Sequence, residues 1–342
     1  MRDQIKAILV LIAVIIAQSC INEGSYGSDV INIDCDDYIT LNLDDYHYQE
    51  VLSESPVGTI EHICFIDDEV LIHSGQMLIG FDSASGEEVA TFSRRGRAND
   101  EYVSLWGFNV GAGSVFIQDL SGGKILRYSS SGELEKVFET QRPSFQAFAL
   151  LPDGRVVGKR SFEGIPTVEL STWGEDFTYA SDIASDSKIE SGIMLNYPFS
   201  YTDRGEVLYN RYFQNEIYTV HAEEISLRYR IDFGSRNFDQ LIEHKDEYDA
   251  LDLFQESSGR ASFISNLNED SKYITFQFVM SPEGASFAIY EKRTKKTKVF
   301  RFTTELVISS IIADRDICYV FAQDAEGKTV YFRYKIDDLL RL

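Results

Sequence analysis

The chain has 342 residues, with 55 acidic side chains against 32 basic ones and a formal net charge of −23. Such a surface repels phosphate backbones and anionic headgroups, which argues against nucleic acid as a partner. Aromatic residues make up 13% of the chain and there are only 6 prolines, a balance that favours β-structure at a length able to bury a large core.

The N-terminus reads as a secretory signal over residues 1–19. Arg2 and Lys6 precede an apolar run of 11 residues from Ala7 to Ala17, followed by Gln18, Ser19 and Cys20. A charged start, a short apolar stretch and small residues before a break mark such signals. A bilayer span needs about 20 residues, so the run is too short for a permanent transmembrane helix. An ordinary cleaved signal is one reading. The other, which Cys20 directly after Ala17-Gln18-Ser19 favours, is a bacterial lipobox with Cys20 as the lipid attachment site. A diacylated cysteine supplies the two chains that stable anchoring needs. Residues 20–29 are polar and glycine-rich, a flexible tether. The expected location is the cell envelope, lipid-anchored, at the outer membrane.

Residues 30–342 read as one domain. The stretch from Val30 to Leu43, "VINIDCDDYITLNL", is β-like but lacks a unit of its own. It is expected to add a strand to the last repeat and close a ring. The first unit follows in "HICFIDDEVLIHSGQMLIGFDSASGEEVATFS", broken at Asp67-Asp68 and Ser85-Gly86. Next comes "SRRGRANDEY", which links it to the second unit. Gly96 suits positive φ, and Asn99 and Asp100 suit a turn. Glu101 is placed to pair with Arg95 or Arg97, and Tyr102 to pack into the next unit. The competing reading makes Arg94, Arg95 and Arg97 a fork for a carboxylate or sulfate. Trp106 then stacks on a sugar or packs in the core.

Five further units repeat the strand-and-turn pattern. Their turns include Gly122-Gly123, Pro152-Asp153-Gly154, Asp203-Arg204-Gly205 and Pro282-Glu283-Gly284. Gly-containing dipeptides of this kind are hairpin signals. Six units at roughly 40 to 50 residues have the blade length of a propeller. A β-sandwich is the competing architecture. One stretch, residues 237–256, departs from the pattern. Asn237 followed by Gln240 suits a capping box. Phe238, Leu241, Ile242, Tyr248, Leu251 and Phe254 approximate one apolar face. The fold class expected is all-β: a six-bladed β-propeller with a short helical insert between blades four and five.

The chain resembles the six-bladed β-propeller lipoproteins of Bacteroidetes, themselves similar to NHL-repeat propellers. "PVGTIEHICFIDDEVLIHSGQMLIGFD" looks like that family's first blade. In "FSRRGRANDEY", Gly96, Arg97, Glu101 and Tyr102 fall on the family's signature positions. There, Ala98-Asn99-Asp100 replaces the expected Gly-Pro-Gly. "RIDFG", the helical stretch and "SFISNLNEDSKYITFQF" are similar to the family's insert. The resemblance implies a periplasmic or surface lipoprotein and supplies no catalytic residues to transfer.

The motifs of chemistry are sparse. The five histidines show no HExxH or HxH spacing, and no GxSxG elbow occurs. "NLNEDS" alternates Asn266, Asn268 and Asp270 but lacks the glycine and final glutamate of a calcium loop, so it reads as a polar turn. Cys64 and Cys318 lie in apolar runs and read as buried free thiols. No metal and no cofactor is expected. Three readings follow: a non-catalytic binding or scaffold propeller for a glycan or peptide ligand, a carbohydrate-active hydrolase or lyase, and a structural part of an envelope complex with other envelope proteins.

Overall fold

The fold is taken from a computed structural model that describes residues 29–342, apart from 55, 93, 141–144, 161–167, 185–196, 212 and 242–246. The signal, Cys20 and nearly all of the tether lie outside the described residues.

The first hairpin shows how the sequence sets the architecture. Asp67 takes φ 53° in a two-residue turn, and strands His62–Ile66 and Glu69–Ser74 zip back from it, pairing Ile66 with Glu69 and His62 with His73. Met77–Asp82 and Glu88–Thr91 complete the sheet, blade 1. The pattern recurs in blade 2 (residues 107–139), blade 3 (145–184), blade 4 (199–232), blade 5 (260–303) and blade 6 (307–335). Within each blade the strands follow chain order from the channel outwards.

The second and third strands are buried almost throughout, as in Ile317–Gln323 of blade 6 and Gly284–Glu291 of blade 5. Each blade lies between two others, so both of its faces are covered and the outward-polar alternation of a half-exposed sheet is lost. One apolar cluster fills each of the six blade-to-blade interfaces. The cluster joining Ile72 and Phe81 of blade 1 to Tyr319 and Phe321 of blade 6 closes the ring.

Closure differs from the sequence expectation. Residues 30–43 do not join blade 6. Asp29–Asn32 pairs in parallel with the outermost strand of blade 4, and Tyr38–Asn42 with that of blade 5. Blade 6 receives Gln49–Glu50 instead, antiparallel to Thr329–Lys335. Val51 N then donates to Thr329 O at 2.9 Å, and Leu52 N to Gly86 O of blade 1 at 2.8 Å. The N-terminal segment is thus a strap along the outer rim of blades 4, 5, 6 and 1. Gly86 is required where it passes: φ is +75°, and a Cβ would lie 2.2 Å from Glu50 O. The reason for the difference is geometric. Blades 4 and 5 already have four strands, so the segment adds a fifth to each and reaches blade 6 only after crossing both.

The insert between blades 4 and 5 contains two 3-10 turns, Gly234–Arg236 and Asp239–Leu241, and the helix Glu247–Glu256. Asn237 does not open the helix as a cap. Its side-chain oxygen accepts from Phe233 N and Asn215 Nδ2, and its amide donates to Asp232. Phe254 and Ala250 of the helix pack with Phe238 and Phe213, so the insert lies against the ring.

Candidate functional site

The six innermost strands surround a channel of about 1130 Å³. Its mouth is formed by the hairpins that join the first and second strand of each blade, including Pro152 and Gly154, Asp203 to Gly205, Asp270 to Lys272 and Asp314 to Asp316. Backbone irregularity turns polar side chains inward. Phe263 and Asn266 take φ 59° and 50° where the inner strand of blade 5 shifts register, which brings Asn266 to the channel wall.

Side-chain amides line this wall and clamp one blade to the next. Asn109 Nδ2 donates to Phe148 O at 2.7 Å, and its oxygen accepts from the Tyr201 hydroxyl. Asn210 Nδ2 donates to Ile264 O at 2.7 Å. Asn266 Nδ2 donates to Ile311 O at 3.0 Å, and Gln277 accepts from Ile311 N. Inner strands of neighbouring blades are not hydrogen-bonded as sheets, so these amides satisfy main-chain groups that would otherwise be unpaired.

Blade 1 contributes His62 and His73, which Tyr197 meets from the link before blade 4. The Tyr197 ring stacks on His62 with centroids 3.4 Å apart. Its hydroxyl lies 2.7 Å from His73 Nδ1. His73 Nε2 lies 3.0 Å from Gly75 O; a carbonyl can only accept, so this nitrogen carries the proton and Nδ1 accepts from Tyr197. His73 is fully buried. This pair locks the channel floor. Tyr197 holds φ 72°, a left-handed conformation that is an outlier for a bulky residue.

His62 and Cys64, by contrast, are half-buried and line the channel. Cys64 Sγ is 3.1 Å from His62 Nε2. Burial pushes the thiol up to about 12, while burial and then His73 hold His62 well below the usual histidine range. The resting pair is therefore a neutral thiol and a neutral imidazole, not a thiolate–imidazolium nucleophile. Among the described residues no group of three or more His, Cys, Asp and Glu is arranged to hold a metal.

At the mouth, Arg315 joins blade 6 to blade 1 through Asp68 at 3.0 Å and lies 3.4 Å from Asp314. Asp314 is pushed up to about 6, chiefly by burial, with Arg315 opposing and Asp68 and Asp316 adding to the rise.

The residues singled out by sequence lie elsewhere. Arg94, Arg95 and Arg97 are exposed and do not line the channel. Arg94 pairs with Asp100 at 3.1 Å, and Lys124 Nζ donates to Ala98 O and Asn99 O, fastening the loop. Glu101 pairs with neither Arg95 nor Arg97; its Oε2 accepts from Ala98 N at 2.9 Å. Gly96 does not need positive φ. A Cβ there would lie 1.8 Å from Glu101 Oε2, so the carboxylate takes the space. Tyr102 is fully buried between blades 1 and 2, its hydroxyl donating to Gln76 O at 2.8 Å. Trp106 is half-buried and donates to Gln146 O at 3.0 Å. Asp270 forms the polar turn read from "NLNEDS", accepting from Lys272 N and Tyr273 N. Cys35 and Cys318 are buried free thiols, whereas Cys64 reaches the channel. His62 and His73 are 11 residues apart and were not paired by motif; counting back from the Asp67-Asp68 turn would have placed them opposite each other.

The family described as "Domain of unknown function (DUF4934)" matches residues 51–337. No curated protein matches. Among solved structures, a Bacteroides fragilis protein described as exported aligns with a TM-score of 0.68 and 13% identity, covering 90% of this chain and 99% of its own. A member of the DUF4221 family from Bacteroides vulgatus aligns with a TM-score of 0.54 and 9% identity, covering 84% and 96%. At these identities the likeness concerns the fold.

Proposed function

The chain belongs to the DUF4934 family, and from that premise we propose that it is an envelope-located binding or scaffold propeller that takes a glycan or peptide ligand into the hairpin-lined mouth of its central channel. The observation that carries this is the channel itself. It combines a large volume with apolar walls and a few convergent amides, the usual composition of a ligand site. The neighbour described as exported and the sequence of residues 1–20 support an envelope location with Cys20 as the lipid anchor at the outer membrane. Among the described residues, no helix is long and apolar enough to cross a membrane.

The test screens glycan and peptide pools against the folded protein by thermal shift and calorimetry, and repeats any hit with Asn268→Trp, which narrows the channel at its lining. A pool that binds saturably and raises the melting temperature of the wild type but not of the variant supports the reading. No saturable binding and no thermal shift with any pool, or binding unchanged in Asn268→Trp, counts against it. For the anchor, Cys20→Ala should move the protein to the soluble fraction. An unmodified mature N-terminus elsewhere would overturn that part.

A second reading, a carbohydrate-active enzyme, is favoured by Asp314 at the channel mouth, whose carboxyl is raised by burial to about 6, a range suited to a general acid. Release of reducing ends from a glycan pool, lost in Asp314→Asn, would select it.

A further inference from the structure

A second, smaller cavity lies beside the first residues of the inner strands of blades 2 and 3, away from the hairpins. This cavity of about 20 Å³ is lined by Trp106, Phe108, Gln118, Gln146, Phe148 and Tyr197, among others. Asn109, Tyr197 and Phe199 line both spaces.

Gln146 makes this cavity chemically specific. It is 7% exposed, and neither Oε1 nor Nε2 has a hydrogen-bond partner among the described residues. The polar groups around it are engaged elsewhere. Gln118 Nε2 donates to Phe145 O at 2.7 Å, the Trp106 indole N–H goes to the main-chain oxygen of Gln146, and the Tyr197 hydroxyl is held by His73. A buried polar group left unpaired is costly, so the amide calls for a group that both donates and accepts. The space admits about one water-sized group. A hydroxyl meets both conditions, whereas a carboxylate only accepts and an ammonium only donates. Beside it, Trp106 lines the same cavity and is only half-buried.

We propose that this end of the ring is a carbohydrate subsite: one sugar hydroxyl enters the cavity and bonds to the Gln146 amide while the C–H face of the sugar ring lies on Trp106. The site is separate from the hairpin-lined mouth and does not depend on ligand binding there.

The chain has 2 tryptophans, and Trp173 is fully buried in blade 3. A ligand-dependent change in intrinsic fluorescence therefore reports on the half-buried Trp106. Titration with the methyl glycosides of glucose, galactose, mannose and N-acetylglucosamine should give a saturable change with at least one of them. Gln146→Leu should weaken that glycoside by about tenfold or more with the melting temperature unchanged or raised, because an unpartnered amide has been replaced by an apolar group of similar size. Trp106→Phe, whose binding is read by isothermal calorimetry because it removes the fluorescent reporter, should also weaken binding and provides a second variant if Gln146→Leu does not fold. A crystal soaked with the glycoside should place a sugar hydroxyl on Gln146. No saturable response to any glycoside, undiminished affinity in Gln146→Leu, or a bridging water on Gln146 that no glycoside displaces would each overturn the proposal. A sugar bound at the hairpin mouth is told apart by its insensitivity to Gln146→Leu.

Discussion

Gly96 and Glu101 illustrate how a residue requirement passes through a neighbour. The glycine leaves room for the Glu101 carboxylate, which accepts from Ala98 N. Gly96→Ala should therefore displace that carboxylate and cost about 1 kcal/mol, the worth of one hydrogen bond. In a Glu101→Ala background the same substitution should cost much less, and a double-mutant cycle by denaturant unfolding measures the difference. Arg94→Ala, removing an exposed pair with Asp100, should shift stability by about 0 to 1 kcal/mol. Asp314 offers a pH test. Its folded pKa is raised to about 6 from an ordinary 3.8. Below the unfolded value the carboxyl is protonated in both states and costs nothing. As pH rises from 3.8 through 6, the unfolded chain releases the proton first and folding is penalised, fully so above 6. Asp314→Asn should thus stabilise by about 2 to 3 kcal/mol at pH 7 relative to pH 4. Melting temperatures of wild type and variant that run parallel across this range would contradict the assignment.

The strap is the element that the repeat pattern hides. Its first two strands cover the outer edges of blades 4 and 5, each with a full four strands without it. Removing residues 29–43 should leave the ring closed but expose two unpaired edges. The expected result is a melting temperature lowered modestly, together with self-association visible by light scattering. A variant that stays monomeric would show that those edges need no cover. Hairpins elsewhere in the ring follow local chemistry, as at Asp67-Asp68. The helix Glu247–Glu256 depends on tertiary packing, because its Phe254 finds Phe238 and Phe213 only once the ring is formed.

Closure belongs to the whole molecule. Four residues, Gln49 to Leu52, fasten blade 6 to blade 1 beyond their shared apolar cluster. Proline at both 51 and 52 removes the amide donors to Thr329 O and Gly86 O. It should cost about 2 kcal/mol, counting about 1 for each hydrogen bond, and limited proteolysis should then cut first near the blade 6 to blade 1 junction. Cleavage elsewhere, or unchanged stability, would place the weak point of the ring at another interface. Around the channel, Asn109, Asn210 and Asn266 do for inner strands what Gln49 to Leu52 do at the rim, tying adjacent blades through main-chain oxygens.

Six repeats, the two-residue and glycine turns, and the aromatic-rich strands are local patterns, and they determine a six-bladed ring from sequence alone. The helical insert is legible for the same reason, as a change of period. The path of residues 29–52 is not, because a strand's partner is chosen by which edge is free and within reach. The candidate site is even less legible. His62, Cys64 and His73 sit in one hairpin, yet Tyr197 joins them from the link before blade 4, and Asn109, Asn210 and Asn266 come from three different blades. Only ring closure brings these residues to one channel, since residues far apart in sequence become neighbours when six sheets converge on an axis. Gln146 shows the limit most plainly: nothing in "SFQAF" marks a glutamine whose amide will be buried without a partner.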